Sequence, residues 1–225
     1  MEGIMLNSGY IIIEGNIGVG KSTFAKLLSQ AFEAQGLQAE YLPEPDETTN
    51  PFLSAYYADP KATAYKMQMH LLHQRFKATR YAQAAALAGK GWYILDRSYF
   101  GDIAFAKVQV EDGYFTSEEY QSYLDAHRNM REFLETPTCA IFLKAAPEIC
   151  ASRIVKRSRD CESGIPLGYL KHLQSEIDAL EAVLQARCPV LELDWTTNQT
   201  YEDLAAKAAE VVKQLTALPR KDWDF

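Results

Sequence analysis

Apolar residues recur along this chain in two alternating rhythms. Tyr10-Ile11-Ile12-Ile13 is a short continuous run, rich in β-branched residues, of the kind buried on both faces of a parallel sheet. Four further short segments read as strands: Ala39 to Leu42, Trp92 to Asp96, Cys139 to Leu143 and Val190 to Asp194. Between them lie stretches of helical periodicity. Lys21 to Gln35 is closed by Gly36, and Thr63 to Ala88, with Met67, Leu71, Leu72, Phe76 and Tyr81 as its apolar positions, ends at Gly89. Asn50 to Tyr57 is a short helix or turn. A further helix is expected to begin near Asp102. Thr116 and Glu119 form a capping box that starts another, running to about Leu134. Pro147 opens a helix carrying Arg153 and Arg157, and Leu167 to Arg187 and Tyr201 to Leu215 complete the set.

Strands alternating with helices predict an α/β fold, a parallel sheet covered by helices. No repeat, low-complexity tract or composition break divides the chain, so residues 1–225 are read as a single domain. Composition adds exclusions. With 48% hydrophobic and 24% charged residues the chain is ordinary globular material. Lys and Arg number 23 against 30 Asp and Glu, a net charge of −7, which argues against coating a nucleic acid polymer but leaves room for a local basic pocket. The cysteines at 139, 150, 161 and 188 form no C-x-x-C pair and read as reduced thiols. Met1 to Gly9 has no basic region ahead of an apolar run, and no apolar stretch reaches the roughly 20 residues of a membrane span. The expectation is a cytoplasmic protein without a membrane partner.

The chemistry is written most plainly in Gly15-Asn16-Ile17-Gly18-Val19-Gly20-Lys21-Ser22, a complete G-x-x-x-x-G-K-[ST] between a strand and a helix. Such a loop turns successive backbone N–H groups onto phosphate oxygens, at the partially positive end of the next helix. Lys21 then serves the β- and γ-phosphates and the Ser22 hydroxyl serves Mg²⁺. Thr23 follows in the same turn. Glu44, in Pro43-Glu44-Pro45, stands at the carboxyl end of the second strand, where α/β folds bind ligands and where a carboxylate takes a proton from an attacking hydroxyl. Asp96-Arg97-Ser98 follows the third strand: Asp96 suits a metal or a contact to Arg97, and Arg97 suits charge on a transferring phosphoryl group. Arg153 and Arg157 lie one helical turn apart with Arg159 just beyond, a basic cluster in an acidic chain that suits a triphosphate. Each of these last three also has a plainer reading, as a loop carboxylate, a strand-end ion pair and a solvated basic face. His70 and His73 have neither H-E-x-x-H nor a third ligand and read as non-metal residues.

Taken in order, Glu14-Gly15-Asn16-Ile17, Glu44-Pro45, Asp96-Arg97-Ser98 and Arg153…Arg157-Ser158-Arg159 with Pro166-Leu167 resemble the deoxynucleoside kinase family, its bacterial deoxyadenosine and deoxyguanosine members above all, from about Tyr10 to Asp194. The resemblance implies a P-loop kinase fold with an arginine-rich lid at about 153–165, ATP with Mg²⁺, a deoxynucleoside acceptor and a homodimer. It implies Glu44 as general base, Arg97 beside the 5′-hydroxyl, and Asp96 with Ser22 near Mg²⁺. It assigns Tyr57 and Glu162 to the sugar 3′-hydroxyl, Gln68 to the base edge, Arg75 and Asp102 to a base-facing pair, and Met67 to the pocket wall. Thr48-Thr49 stands where some members carry a base-packing aromatic, and the stacking aromatic is left between Phe100 and Phe105. A monophosphate kinase of the thymidylate type is the competing enzyme, but residues 40–60 hold no Lys or Arg for an acceptor phosphate. A non-catalytic relative should have lost the base, the loop lysine or the arginines, and all stand here.

Overall fold

A computed structural model describes residues 6–46, 48–157, 165–197 and 199–218, without the side chains of Tyr57 and Arg157. The elements run β1 (Gly9–Glu14), α1 (Lys21–Ala34), β2 (Ala39–Leu42), α2 (Leu53–Ala58), α3 (Pro60–Leu87), β3 (Trp92–Asp96), α4 (Tyr99–Glu111), α5 (Ser117–Arg131), β4 (Cys139–Lys144), α6 (Pro147–Arg157), α7 (Leu167–Gln185), β5 (Val190–Asp194) and α8 (Tyr201–Thr216). The five strands form one all-parallel sheet in the order β2-β3-β1-β4-β5.

β1 is central because it is apolar on both faces. Its side chains alternate across the sheet. Tyr10 and Ile12 enter a core built with α3, α4, α5 and α7, while Ile11 and Ile13 enter a second core with α1 and α8. Ile11, Ile12 and Ile13 have no exposed surface, and each contributes about 1.5–3 kcal/mol by burial. Two helical layers thus sandwich the sheet. The edge strands β2 and β5 are only partly buried, in keeping with their polar alternate positions.

Two helix starts differ from the periodicity. α3 begins at Pro60 rather than near Thr63, because the Asp59 side chain accepts the Ala62 N–H and Pro60 occupies the first turn. α4 begins at Tyr99 rather than near Asp102, because Ser98 caps it, accepting from the N–H groups of Phe100 and Gly101. The Thr116–Glu119 capping box is present as read. Trp92 and Trp195 are core residues. Among the described residues no helix is long and apolar enough to cross a membrane.

Candidate active site

The parallel register brings three strand ends together. Ile13 lies opposite Asp96, and β2 pairs with β3 as far as Leu42 opposite Leu95. The P-loop, Glu44 and Asp96-Arg97 therefore leave one edge of the sheet.

Within the P-loop, Gly18 has φ +78°, and a Cβ there would lie 2.6 Å from Ile154 Cγ1 and 2.8 Å from the Cys150 carbonyl. Gly20, at φ +113°, precedes α1 and supplies no side-chain cap, so the first N–H groups of α1 keep no side-chain partner. An anion there satisfies both the orphan donors and the helix dipole. Val19 is buried and anchors the loop in the core, and Ile17 packs against the opposite one. Lys21 is buried, its amine donating to the carbonyls of Gly15 (3.2 Å) and Asn16 (2.8 Å). Burial, with the Arg97 charge beside it, lowers its pKa to about 8. Thr23 is exposed in the first turn of α1. Asn16 turns away from the loop mouth. Its amide donates to the Leu170 carbonyl (2.8 Å) and to Gln174 Oε1 (3.1 Å), tying the loop to α7.

The Ser22 hydroxyl donates to Asp96 Oδ2 at 2.5 Å, and the Tyr41 hydroxyl approaches the same oxygen at 3.3 Å. Asp96 Oδ1 is buried with no hydrogen-bond partner. A hydroxyl beside a carboxylate with a spare buried oxygen is the hard-oxygen donor set that Mg²⁺ takes, directly or through its waters.

Glu44 sits between two guanidinium groups. Oε1 pairs with Arg75 Nη2, and Oε2 accepts from Arg97 Nε at 2.9 Å. Burial alone would raise the Glu44 pKa, but the charges of Arg97, Arg75 and Lys21 outweigh it and hold the carboxyl at about 2. Its side chain is 29% exposed while the two arginines are 4% exposed, so the carboxylate is the open face of the cluster. A cavity of about 240 Å³ reaches it, bounded also by Asp96, Arg97, Gln74, Lys77 and Tyr81. Arg97 has φ 66°, the one positive φ of a non-glycine residue among those described. Its N–H donates to the Ile13 carbonyl and its Nη1 to the Gly15 carbonyl, both at 3.1 Å. Contacts at both ends over-determine this sparsely populated conformation and fix the guanidinium between P-loop and Glu44.

Gln68, Arg75 and Asp102 are gathered as well. Arg75 Nη1 donates to Asp102 Oδ1 at 2.5 Å and Gln68 Nε2 to Asp102 Oδ2 at 2.8 Å. They face one another in the interior: Gln68 and Asp102 have no exposed surface, so a base edge reaches them only by opening their cover. Met67 is buried beside them in sequence. Phe105 lies under both arginines, 4.5 Å from the Arg97 guanidinium carbon and 5.2 Å from that of Arg75. Phe100 instead meets Tyr99 and Arg131. Of these two rings, Phe105 is the one that lies against Arg75 and Arg97. Thr48 and Thr49 form no aromatic wall; both bond to Asp46 in a local turn.

The arginine cluster is only partly described. Arg153 is turned toward the P-loop and the end of β5: Nη1 donates to the Val19 carbonyl (3.2 Å), and Nη2 to those of Trp195 (2.8 Å) and Thr197 (3.2 Å). The side chains of Tyr57 and Arg157, and the residues Arg159 and Glu162, lie outside the described residues.

Glu14 opens the Glu14-Gly15-Asn16-Ile17 motif but is given no role from sequence; the structure places it beside the site. It ends β1 fully buried, accepts the Ser98 N–H (3.0 Å) and hydroxyl (2.7 Å), and has its pKa raised by burial, against the opposing charge of Arg97. Gly101 is its close neighbour, since a Cβ there would lie 2.5 Å from the carboxylate. Ser98 thus caps α4 and satisfies Glu14 at once. Ser98→Ala is expected to destabilise the protein by about 1–3 kcal/mol, the cost of a lost cap and an underpaired buried carboxyl. Urea unfolding measures this, and a change below about 0.5 kcal/mol would show that Glu14 and α4 are held by other contacts.

The deoxynucleoside kinase sequence profile matches residues 11–218. A deoxyadenosine kinase of Dictyostelium discoideum is 30% identical over 200 residues, covering 89% of this chain and 78% of that protein. A deoxyguanosine kinase of the same organism is 33% identical over 189 residues, covering 84% of this chain and 64% of that protein. Among solved structures, deoxyadenosine kinase from M. mycoides with bound dCTP superposes with a TM-score of 0.73 at 26% identity, over 91% of this chain and 97% of that one. Motif residues collected at one sheet edge, on a shared fold and across almost the whole length, place this chain in the deoxynucleoside kinase family.

Proposed function

We propose that the protein transfers the γ-phosphoryl group of ATP to the 5′-hydroxyl of a deoxyribonucleoside, giving the 5′-monophosphate and ADP as a step of nucleotide salvage. The observation that carries this reading is Glu44: a partly exposed carboxylate, clamped by Arg75 and Arg97, at the same sheet edge as the P-loop lysine. A monophosphate acceptor would need cations where residues 40–60 have none.

The P-loop N–H groups and Lys21 hold the β- and γ-phosphates. Ser22 and Asp96 would hold Mg²⁺, which would supply neutralisation of the charge on the β- and γ-oxygens. Arg97 orients the 5′-hydroxyl and meets negative charge as it spreads over the phosphoryl group. The hydroxyl oxygen bonds to the γ-phosphorus as the bond to the bridging oxygen breaks, its electron pair leaving with ADP. Glu44 takes the hydroxyl proton. A carboxylate held at about 2 is a weak base, so the proton moves late, once the attacking oxygen has become acidic by bonding to phosphorus. Phosphoryl transfer asks little more of its base.

Arg157 and Arg159 are assigned to the triphosphate, and Tyr57 and Glu162 to the sugar 3′-hydroxyl, on the family pattern. Family membership also supports a cytoplasmic homodimer. Gln68, Arg75 and Asp102 are assigned to the base, with Met67 and Phe105 as walls. Purine deoxynucleosides are expected first, deoxycytidine next and thymidine last, since thymine has neither the exocyclic amine nor N7 and its methyl group crowds the pair. Four deoxynucleosides scored by kcat/KM with labelled ATP test this. Arg75→Met with Asp102→Ala should move the order toward thymidine, and a parent enzyme that prefers thymidine would overturn the base assignment.

A further inference from the structure

The P-loop is fastened from outside its phosphate cradle, at Asn16. This side chain is buried and both ends of its amide are used. Oδ1 accepts the Ile17 N–H (2.8 Å), while Nδ2 donates to the Leu170 carbonyl (2.8 Å) and to Gln174 Oε1 (3.1 Å). The Asn16 backbone carbonyl accepts from the Lys21 amine (2.8 Å) and from the Val19 N–H (3.4 Å). One residue thus joins α7 to the lysine that serves the phosphates. It also spends the Ile17 N–H within the loop, which leaves an anion to the N–H groups further along.

Leu170, Gln174 and Asp178 stand four residues apart, on one face of α7. They decide how the two amides face. The Leu170 carbonyl can only accept, so Asn16 turns Nδ2 toward α7. Gln174 must then offer Oε1, and its Nε2 donates onward to Asp178 Oδ1 (3.0 Å). A carboxylate can only accept, so this end agrees with the other. Asp178 is held in turn by Lys144 at the end of β4 (2.8 Å), which also pairs with Glu181. Turning either amide would set donor against donor or acceptor against acceptor. The row from β4 through α7 to the P-loop therefore has one arrangement.

We propose that Gln174 is a positioning residue for the donor nucleotide. Through Asn16 it fixes the register of the P-loop on α7, and with it the place of Lys21, without touching a phosphate itself. The proposal rests on the reading of the P-loop as the ATP site. Asn16 and Lys21 share a carbonyl, so a rotation of the Asn16 peptide moves the amine. A displacement of about 1 Å at a reacting group can cost about 10²-fold even when its cause is remote.

The test compares Gln174→Leu, Asn16→Ala and the double variant with the parent, by steady-state kinetics, by calorimetry of ATP without nucleoside, and by thermal midpoint. Leucine keeps the helix, and α7 stays docked through Leu173, Ile177 and Leu180. Gln174→Leu leaves an Asn16 hydrogen unpaired and is expected to weaken ATP about tenfold, in Kd and in KM, with the nucleoside KM within about twofold. In the Asn16→Ala background the same change should have no further effect, since its route is already cut. Gln174→Glu with Asp178→Asn reverses the hydrogen bond between the two, keeps an acceptor for Asn16, and should restore ATP affinity to within about threefold. Normal ATP binding by Gln174→Leu overturns the proposal and leaves the kinase reading in place. So do additive losses in the double variant, a swapped pair as weak as Gln174→Leu, or ATP and nucleoside KM rising together with a fallen midpoint, the mark of a merely structural contact. Should Asn16→Ala not fold, Gln174→Leu and the swapped pair decide. A parent that binds no ATP overturns the kinase reading itself.

Discussion

Lys21→Ala is expected to end turnover, with kcat lowered about 10²-fold to 10³-fold or more, the range for removing one preorganised charge partner of a transition state. The amine lies against the carbonyls of Gly15 and Asn16, inside the loop that wraps the phosphates. No other lysine belongs to that loop. The variant should stay folded. The folded protein holds the Lys21 pKa at about 8, against an ordinary value of 10.5, because burial and Arg97 penalise the charge. With the folded pKa below the unfolded one, the charged amine costs stability at pH 7, a cost that fades as pH rises from about 8 toward 10.5. Removing it therefore offsets the two lost hydrogen bonds. Steady-state kinetics with a thermal midpoint check both parts, and a variant keeping more than about a tenth of parent kcat would contradict the P-loop role.

Glu44→Gln should lower kcat about 10²-fold or more while moving the nucleoside KM far less, because the amide keeps the shape and one acceptor oxygen but cannot take the proton. A loss confined to KM would reassign Glu44 to binding. The pH profile gives a second view. The Glu44 carboxyl is held at about 2 by Arg97, Arg75 and Lys21 against the push of burial, below its ordinary 4.5. A depressed carboxylate contributes stability above about 4.5 and loses that contribution as pH falls toward 2. It also stays ionised as a base over that range. The parent kcat should therefore show no acid limb from Glu44 above about pH 4, and an acid limb that vanishes in Glu44→Gln would place its working pKa higher than the clamp allows.

Much of this architecture is legible one residue at a time. The Ile11-Ile12-Ile13 run can satisfy its hydrophobicity only with a core on each side, which makes β1 central. The P-loop is legible because its glycines are a backbone requirement: Gly18 stands where any Cβ would strike Ile154 and the Cys150 carbonyl. Other features were masked by a competing use of the same residue. Ser98 reads as part of Asp96-Arg97-Ser98, and that hides its work as the cap of α4. Arg153 reads as a phosphate arginine from its spacing to Arg157, yet its partners are carbonyls at Val19, Trp195 and Thr197, and proximity across that distance leaves no mark in spacing.

By itself the sequence determined the order of strands and helices, the parallel sheet, and the residue types that a phosphate loop, a base and a metal position demand. These follow from local chemistry: periodicity, caps, and the short span of a loop that must wrap a phosphate. Only the tertiary structure decided which charges share a partner. Glu44 lies between Arg75 and Arg97 because β2, α3 and β3 converge, and Glu14 is buried because the start of α4, at Ser98 and Gly101, closes over its carboxylate. Likewise Asp102 is held by Tyr123, and Gln68 by Gln109, from helices distant along the chain. The reason is physical. A charge or an amide takes its pKa, its orientation and its spare hydrogen-bonding capacity from neighbours within a few ångströms, and packing chooses those neighbours.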